Sequence, residues 1–167
     1  TRVAAMALVM VFLAFLTTAQ ASTWKNEIEL YAHDIAVAPR CTKARTSLAS
    51  EFIKIHDFTS ALNIDREAIA LDPNHWPTIF HYGMTLSIAG YREEGLRQLY
   101  HALALSPRET VVYYGLGAVL ADAGDFDRSI GILQQGIAVA DDPGRLRMKL
   151  ASVKMRAQAA GQSNISH

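Results

Sequence analysis

The chain has 167 residues, a formal net charge of zero and a single cysteine. That length suits one modest domain with short extensions, and a lone cysteine excludes both an intrachain disulfide framework and a cysteine-based zinc cluster. The charge is unevenly distributed, because residues 23–142 carry 16 acids and 10 bases whereas residues 143–167 carry 5 bases and no acid. We interpret the basic end as a solvated cap that complements nearby aspartates; the alternative is contact with an anionic surface such as lipid head groups.

Residues 1–22 are strongly apolar, and the part from 3 to 16 contains no polar side chain. About 20 helical residues span the roughly 30 Å hydrocarbon core of a bilayer, so residues 3–22 are predicted to form a transmembrane helix. Arg2, the apolar run and the sequence Ala-Gln-Ala at 19–21 also fit a secretory signal peptide cleaved between Ala21 and Ser22. A buried core helix is a third alternative. The first two place the following residues in the periplasm or lumen, either anchored or secreted.

A repeat interval of about 34 residues organises the chain that follows. Pro39, Pro73 and Pro107 each close an apolar helical run and are separated by this interval. The same interval separates the small residues Ala49, Gly83 and Gly117, and the predicted turns at 56–57, 90–91 and 124–125. A repeat of this length is typical of stacked helix–turn–helix units.

This interval predicts an all-α domain over residues 23–160. Three repeats are expected at about 42–75, 76–109 and 110–143, and residues 161–167 are predicted to be disordered. The predicted helices are a half-repeat at 23–37, the pairs 42–55 with 59–71, 76–89 with 92–105 and 110–123 with 126–140, and a capping helix within 144–159.

Two features inside these helices predict how they pack. The capping helix carries an apolar stripe of Leu146, Leu150, Val153 and Ala157, suited to covering the third pair. Glycines within helices cost stability relative to alanine, so we interpret Gly95, Gly131 and Gly136 as sites where two helices approach closely.

The repeat resembles the tetratricopeptide repeat, or TPR. Small residues occupy one position of each first helix, Ala68 and Ala102 one position of the second, and Pro73 and Pro107 its end. The third unit departs from this pattern, with Gly136 in place of alanine and Asp141 in place of proline. The resemblance implies a TPR-type solenoid of helical hairpins that acts as a non-catalytic scaffold for proteins or peptides.

A second resemblance concerns the junction after the apolar segment. Residues 23–27 read Thr-Trp-Lys-Asn-Glu, Leu30-Tyr31 follow, and residues 38–41 read Ala-Pro-Arg-Cys. This looks like the junction in polyprenyl-sugar-dependent membrane glycosyltransferases of the O-mannosyltransferase type that carry C-terminal TPR units. The alternative function is therefore an accessory TPR region of such an enzyme, whose catalytic part is absent from this chain.

No convergent set of catalytic or metal-binding residues is evident. The histidines at 33, 56, 75, 81 and 101 are spread over different predicted helices, and no pair has the i, i+4 spacing of a helical metal site. Cys41 lies near Arg40 and Lys43, which can activate a thiol, yet no partner supports a reactive role. We expect no catalytic residue, no cofactor, no metal and no nucleic-acid partner.

The TPR resemblance implies a groove lined by four positions of each first helix. Phe80 and Tyr114 are one repeat interval apart, so with Met84 they are expected to form one apolar strip, with little dependence of binding on salt. Such a strip suits an amphipathic helix or an extended apolar peptide; the alternative is that these residues only pack internally. The implied lining is Lys43, Thr46, Ser50 and Ile53; Pro77, Phe80, Met84 and Ser87; Val111, Tyr114, Ala118 and Ala121.

Overall fold

A computed structural model describes residues 27–163 together with Met6. Every regular element in this part of the chain is an α-helix, and none of these helices combines the length and the apolar character that crossing a membrane requires. The predicted transmembrane or signal segment, residues 3–22, lies outside the described residues, as does Trp24 of the predicted junction.

Helix boundaries follow the predicted repeat closely. For α2 to α7 each end lies within one residue of its predicted position. The last helix is longer than predicted and reaches Ser163, so the expectation of disorder is wrong for residues 161–163, while 164–167 lie outside the described part. The helices are α1 at 27–37, α2 Thr42–Lys54, α3 Phe58–Leu71, α4 Trp76–Ile88, α5 Arg92–Leu105, α6 Thr110–Asp122, α7 Phe126–Val139 and α8 Gly144–Ser163.

The chain forms two compact units, unit 1 ending at Leu71 and unit 2 beginning at Asp72. Unit 1 contains α1 and the antiparallel pair of α2 and α3. Ala49 and Ala61 are fully buried in this pair, because small side chains allow the two helices to pack closely. The turn between the helices contains His56 in the left-handed region at φ 61°.

A buried carboxylate links α1 to α2 in unit 1. Glu51 is only 4% exposed, and its two oxygens accept hydrogen bonds of 2.7 and 2.8 Å from Lys54 Nζ. The same ammonium lies 3.4 Å from Glu27 at the start of the described part of α1. Hydrogen bonding to Glu51, and secondarily to Lys54, lowers the pKa of Glu27, whereas hydrogen bonding to Glu51 raises the pKa of Lys54. Both pKa shifts favour the charged forms of Glu27 and Lys54, so the ammonium group of Lys54 joins Glu51 and Glu27 in one charged network.

Unit 2 contains the pairs α4 with α5 and α6 with α7, followed by α8. Glycines permit close packing within both pairs: a Cβ on Gly83 would lie 2.9 Å from Leu99 Cγ, and one on Gly117 would lie 2.7 Å from Leu133. Two of the three predicted close approaches are confirmed, because a Cβ on Gly95 would lie 2.7 Å from the Gly83 oxygen and one on Gly136 2.6 Å from Tyr113 Cβ. The interpretation of Gly131 is wrong: a Cβ there would meet nothing within 4 Å.

Helix α8 covers α6 and α7, as predicted for the capping helix. Leu146 and Val153 are 2% and 0% exposed, whereas Leu150 and Ala157 are half-buried. Arg156 Nη1 lies 2.9 Å from Asp122 Oδ1, and its Nη2 donates a 3.1 Å hydrogen bond to the Ala121 carbonyl oxygen. Part of the basic charge of α8 therefore does complement an aspartate at the end of α6.

Candidate peptide-binding face

The predicted groove residues are divided between the two units. Three of them, Lys43, Thr46 and Ser50, lie on α2 of unit 1. The others lie in unit 2, Phe80 and Met84 on α4, Tyr114 and Ala118 on α6.

In unit 1 the predicted hydroxyl groups bond to their own helix. Ser50 Oγ donates to the Thr46 carbonyl oxygen at 2.9 Å, and Thr46 Oγ1 donates to the Lys43 carbonyl oxygen at 3.0 Å. Such back-bonding uses the hydroxyl proton locally. Lys43 borders a cleft of about 370 Å³ between α1 and α2, whose other walls include Tyr31, Asp34 and Cys41.

The cleft of unit 1 has a volume within the usual range for small ligands, but the residues around it supply no metal site. No group of three histidine, cysteine, aspartate or glutamate side chains in the described part of the chain is arranged to hold a metal ion. Of the predicted groove residues on α2, Lys43 borders this cleft, whereas Thr46 and Ser50 do not.

In unit 2 the side chains of Phe80 and Met84 lie across the backbone of α6 at Gly115. A Cβ on Gly115 would lie 2.6 Å from Phe80 Cε2 and 3.2 Å from Met84 Sδ. Gly115 is therefore a packing feature of the contact between α4 and α6. Phe80 and Met84 are half-buried, so each packs against α6 and also remains partly exposed at the surface.

Two cations of α8 lie close to the ring of Tyr114. The guanidinium carbon of Arg145 and the ammonium nitrogen of Lys149 are each 5.5 Å from the centroid of the tyrosine ring. Both distances fall within the range of cation–π attraction. Beside the ring is a cleft of about 100 Å³, roughly the size of one side chain, lined by Thr110, Val111, Tyr114, Asp142, Arg145 and Leu146.

Sequence reasoning missed these two cations, although the repeat interval contains the signal. One further interval after Val111 is Arg145, and one further interval after Gly115 is Lys149. The predicted groove stopped at the third pair because α8 was interpreted as a solvated cap, with contact with an anionic surface as the alternative. One implied lining residue is also misplaced, since Ala121 is fully buried and contributes no surface.

The paired helices of both units, repeating at this interval, define a TPR-type all-α fold. No protein-family model matches the chain, and no curated protein matches it either. Solved structures do. The chain is similar to TTC0263, a thermophilic TPR protein of Thermus thermophilus, with a TM-score of 0.67 and 21% identity over 84% of this chain and 77% of that one.

Two crystal structures of MamA are also similar to the chain. One has a TM-score of 0.62 and 18% identity over 86% of this chain and 80% of MamA. The other has a TM-score of 0.61 and 16% identity over 89% of this chain and 95% of MamA. At these identities the likeness establishes the fold.

Proposed function

We propose that this chain is a non-catalytic protein-binding scaffold whose partner binds to the first-helix face of unit 2. The observation that carries the proposal is the packing of Phe80 and Met84 over Gly115, the residue that follows Tyr114 on α6. Val111, on the same helix as Tyr114, is 42% exposed. Contiguous exposed apolar surface is a common mark of an interaction site, and large aromatic side chains supply much of the binding energy at protein interfaces.

The double variant Phe80→Ala/Tyr114→Ala tests this face. Truncating an interface aromatic costs about 1–2 kcal/mol or more, so partner capture in a pull-down should weaken at least about tenfold. The matched control is Tyr91→Ala/Tyr100→Ala, because these tyrosines are 58% and 39% exposed and neither is a residue of a first helix: Tyr91 precedes α5 and Tyr100 lies on it. Equal capture by both double variants would contradict the proposal.

Folding must be checked in the same experiment. Phe80 packs on Gly115, so its truncation is expected to lower the melting temperature as well as binding. Capture is therefore measured at a temperature at which circular dichroism shows both double variants to be fully helical. Loss of capture by folded protein then reports on the surface and not on the stability of unit 2.

We further propose that residues 3–22 anchor the scaffold in a membrane, with the repeats in the periplasm or lumen, or direct it there as a cleaved signal. The apolar run in the sequence supports this location. Reporter fusions at His167 test it: activity from a reporter that works only in the cytoplasm would contradict both versions. The N-terminus of the mature protein distinguishes an anchor from cleavage between Ala21 and Ser22.

The second candidate function is the accessory C-terminal region of a membrane glycosyltransferase that acts on a polyprenyl-linked sugar. The observation that favours it is the sequence of the junction at 23–31 and 38–41. The gene sequence upstream of Thr1 tests it directly. Several further apolar helices there would support this candidate, and a start codon immediately before Thr1 would exclude it.

A further inference from the structure

Helix α8 occupies the place of a first helix in a further repeat. Leu146 and Val153 lie one repeat interval after Val112 and Val119, and all four side chains are buried. The packing of α8 also matches that of a first helix. Helix α8 contacts the two helices before it, α7 and α6, and α6 likewise contacts the two helices before it, α5 and α4. The first-helix face of unit 2 therefore continues from α4 through α6 to α8.

Methionines extend the apolar strip onto α8. Met148 is at the position of Tyr114 and is 69% exposed; Met155 is at the position of Ala121 and is 64% exposed. They are two helical turns apart, so they lie on the same side of the helix. Methionine is flexible and polarisable, which suits a surface that adapts to a partner. The strip thus consists of Phe80, Met84, Tyr114 and Met148, with Met155 further along α8.

Positive charge borders this strip. Arg145 and Lys149 are one helical turn apart on α8, and the cationic group of each lies 5.5 Å from the centroid of the Tyr114 ring. Helix α8 has no acidic residue. The nearest acid of the adjacent cleft is Asp142, whose Oδ1 accepts a 3.0 Å hydrogen bond from the Gly144 amide. The α8 end of the face is therefore apolar and cationic at once.

We propose that this face binds a protein segment in which apolar side chains are interspersed with aspartate or glutamate. The apolar side chains contact Phe80, Tyr114 and Met148, while a carboxylate enters the cleft and pairs with Arg145 and Lys149. This inference rests on the proposed function and adds the chemistry of the partner. Charge complementarity selects the carboxylate, since guanidinium groups bind carboxylates through paired, charge-assisted hydrogen bonds.

The geometry favours a protein segment over a lipid surface as the occupant. The charges converge on one aromatic ring beside a cleft the size of a single side chain, an arrangement suited to one inserted group. The other two cations in the middle of α8, Arg147 and Lys154, are at the positions of Tyr113 and Leu120, which are buried in the third pair. They therefore belong to a different face of the helix and provide a matched control.

The experiment is selection of a random peptide library on the full-length protein, followed by sequencing of the retained peptides. Peptides selected on the wild type should be enriched in both apolar and acidic residues. Arg145→Gln/Lys149→Gln should abolish the acidic enrichment and bind the wild-type-selected peptides about tenfold more weakly, as expected for the loss of two partly exposed charge pairs. Arg147→Gln/Lys154→Gln removes the same charge from the same helix and should preserve both enrichment and affinity.

Each alternative outcome identifies what has failed. Apolar peptides without acidic enrichment, bound equally by both charge variants, would overturn this inference and leave the proposed function intact. No retained peptide, or peptides whose binding is unaffected by Phe80→Ala/Tyr114→Ala, would overturn the proposed function itself. Absence of acidic enrichment combined with binding to phosphatidylglycerol vesicles that requires Arg145 and Lys149 would assign the cations to a lipid surface instead.

Discussion

Ser129 Oγ on α7 donates a buried hydrogen bond of 2.6 Å to the carbonyl oxygen of Gly117 on α6. The residues one repeat interval earlier are Gly95 and Gly83, where the Gly95 Cα faces the Gly83 oxygen without a side chain between them. In that pair the Gly83 oxygen instead accepts a 2.8 Å hydrogen bond from Ser87 Oγ. In both pairs a serine hydroxyl therefore donates a hydrogen bond to this carbonyl oxygen of the first helix. The serine lies on the second helix in the pair of α6 and α7, and on the first helix in the pair of α4 and α5.

Alanine is predicted to have opposite effects at two glycines of unit 2, because the space around them differs. A Cβ at Gly95 would clash with Ser87 and lie 2.7 Å from the Gly83 oxygen, so Gly95→Ala should destabilise by about 1–3 kcal/mol. Gly131 has open space around its Cα, so Gly131→Ala should stabilise by about 0.5–1 kcal/mol through helix propensity. Urea unfolding monitored by circular dichroism measures both. Similar midpoints for the two variants would contradict the assigned packing.

The turn between α2 and α3 predicts a stabilising substitution. His56 is the only residue other than glycine with positive φ in the described chain, and Gly90 and Gly124 are its equivalents one and two repeat intervals later. A left-handed conformation costs a non-glycine residue about 1–2 kcal/mol, partly offset by the greater flexibility of glycine in the unfolded chain.

His56→Gly should therefore raise stability by about 0.5–1 kcal/mol. His56→Val should lower it, because a β-branched residue tolerates this conformation poorly. The loss of the edge contact between His56 and Phe58, at 5.9 Å between centroids, is common to both variants. The order of their melting temperatures thus isolates the backbone effect, and the reverse order would refute it.

Asp57, which precedes α3, predicts an acid-sensitive component of stability. Its carboxylate accepts hydrogen bonds from Ser60 Oγ at 2.6 Å and from the Ser60 amide at 3.1 Å. The side-chain bond, and then the backbone bond, hold the pKa of Asp57 below its ordinary value of 3.8. Because the folded pKa is the lower one, the stabilisation is present above the ordinary value and is lost as the pH falls through the folded pKa.

Asp57→Asn keeps an acceptor oxygen for the helix N-terminus but cannot titrate. Between neutral pH and about pH 3, the wild type should therefore lose more stability than this variant. Denaturant unfolding at several pH values measures the difference. Parallel pH profiles would show that Asp57 does not contribute to the acid response.

The repeat interval was sufficient to predict α2 to α7, because Pro39, Pro73 and Pro107 mark the ends of helices whose packing residues recur in register. It also predicted that small residues recur at Gly83 and Gly117, where the structure shows close helix contacts. Gly131 could not be interpreted in this way, since propensity alone does not reveal whether a neighbouring helix lies opposite. The contact of Lys54 with Glu51 and Glu27 was also missed: the Lys54–Glu27 part of it depends on the path of α1, which no repeat interval specifies.

The candidate site was only partly predictable for a related reason. Phe80, Met84 and Tyr114 follow from the interval, and the structure joins Phe80 and Met84 to α6 through Gly115. Arg145 and Lys149 were assigned to a solvated cap because charge on a terminal helix is usually solvated. Their position over Tyr114 results from the way in which α8 packs on α6. The sequence indicates this packing only when the repeat interval is extended by one further repeat to include α8.

The third pair is expected to depend on α8 for its stability. Leu146 is 2% exposed and lies against the contact between α6 and α7, since a Cβ on Gly136 would be 2.6 Å from Tyr113 Cβ and 3.1 Å from Leu146 Cδ1. Leu146→Ala should cost about 2–5 kcal/mol, because a buried leucine is lost where the glycine leaves no side chain to fill the space.

Met148→Ala, two positions further along the same helix, is the matched control for this substitution. Met148 is 69% exposed, so its truncation should change stability by less than about 0.5 kcal/mol. Hydrogen exchange provides the sharper measurement: in the Leu146→Ala variant the amides of α6, α7 and α8 should lose protection together, because these helices share one core. If only α8 lost protection while α6 and α7 kept theirs, the third pair would be stable without its cap, and the role assigned to Leu146 would be wrong.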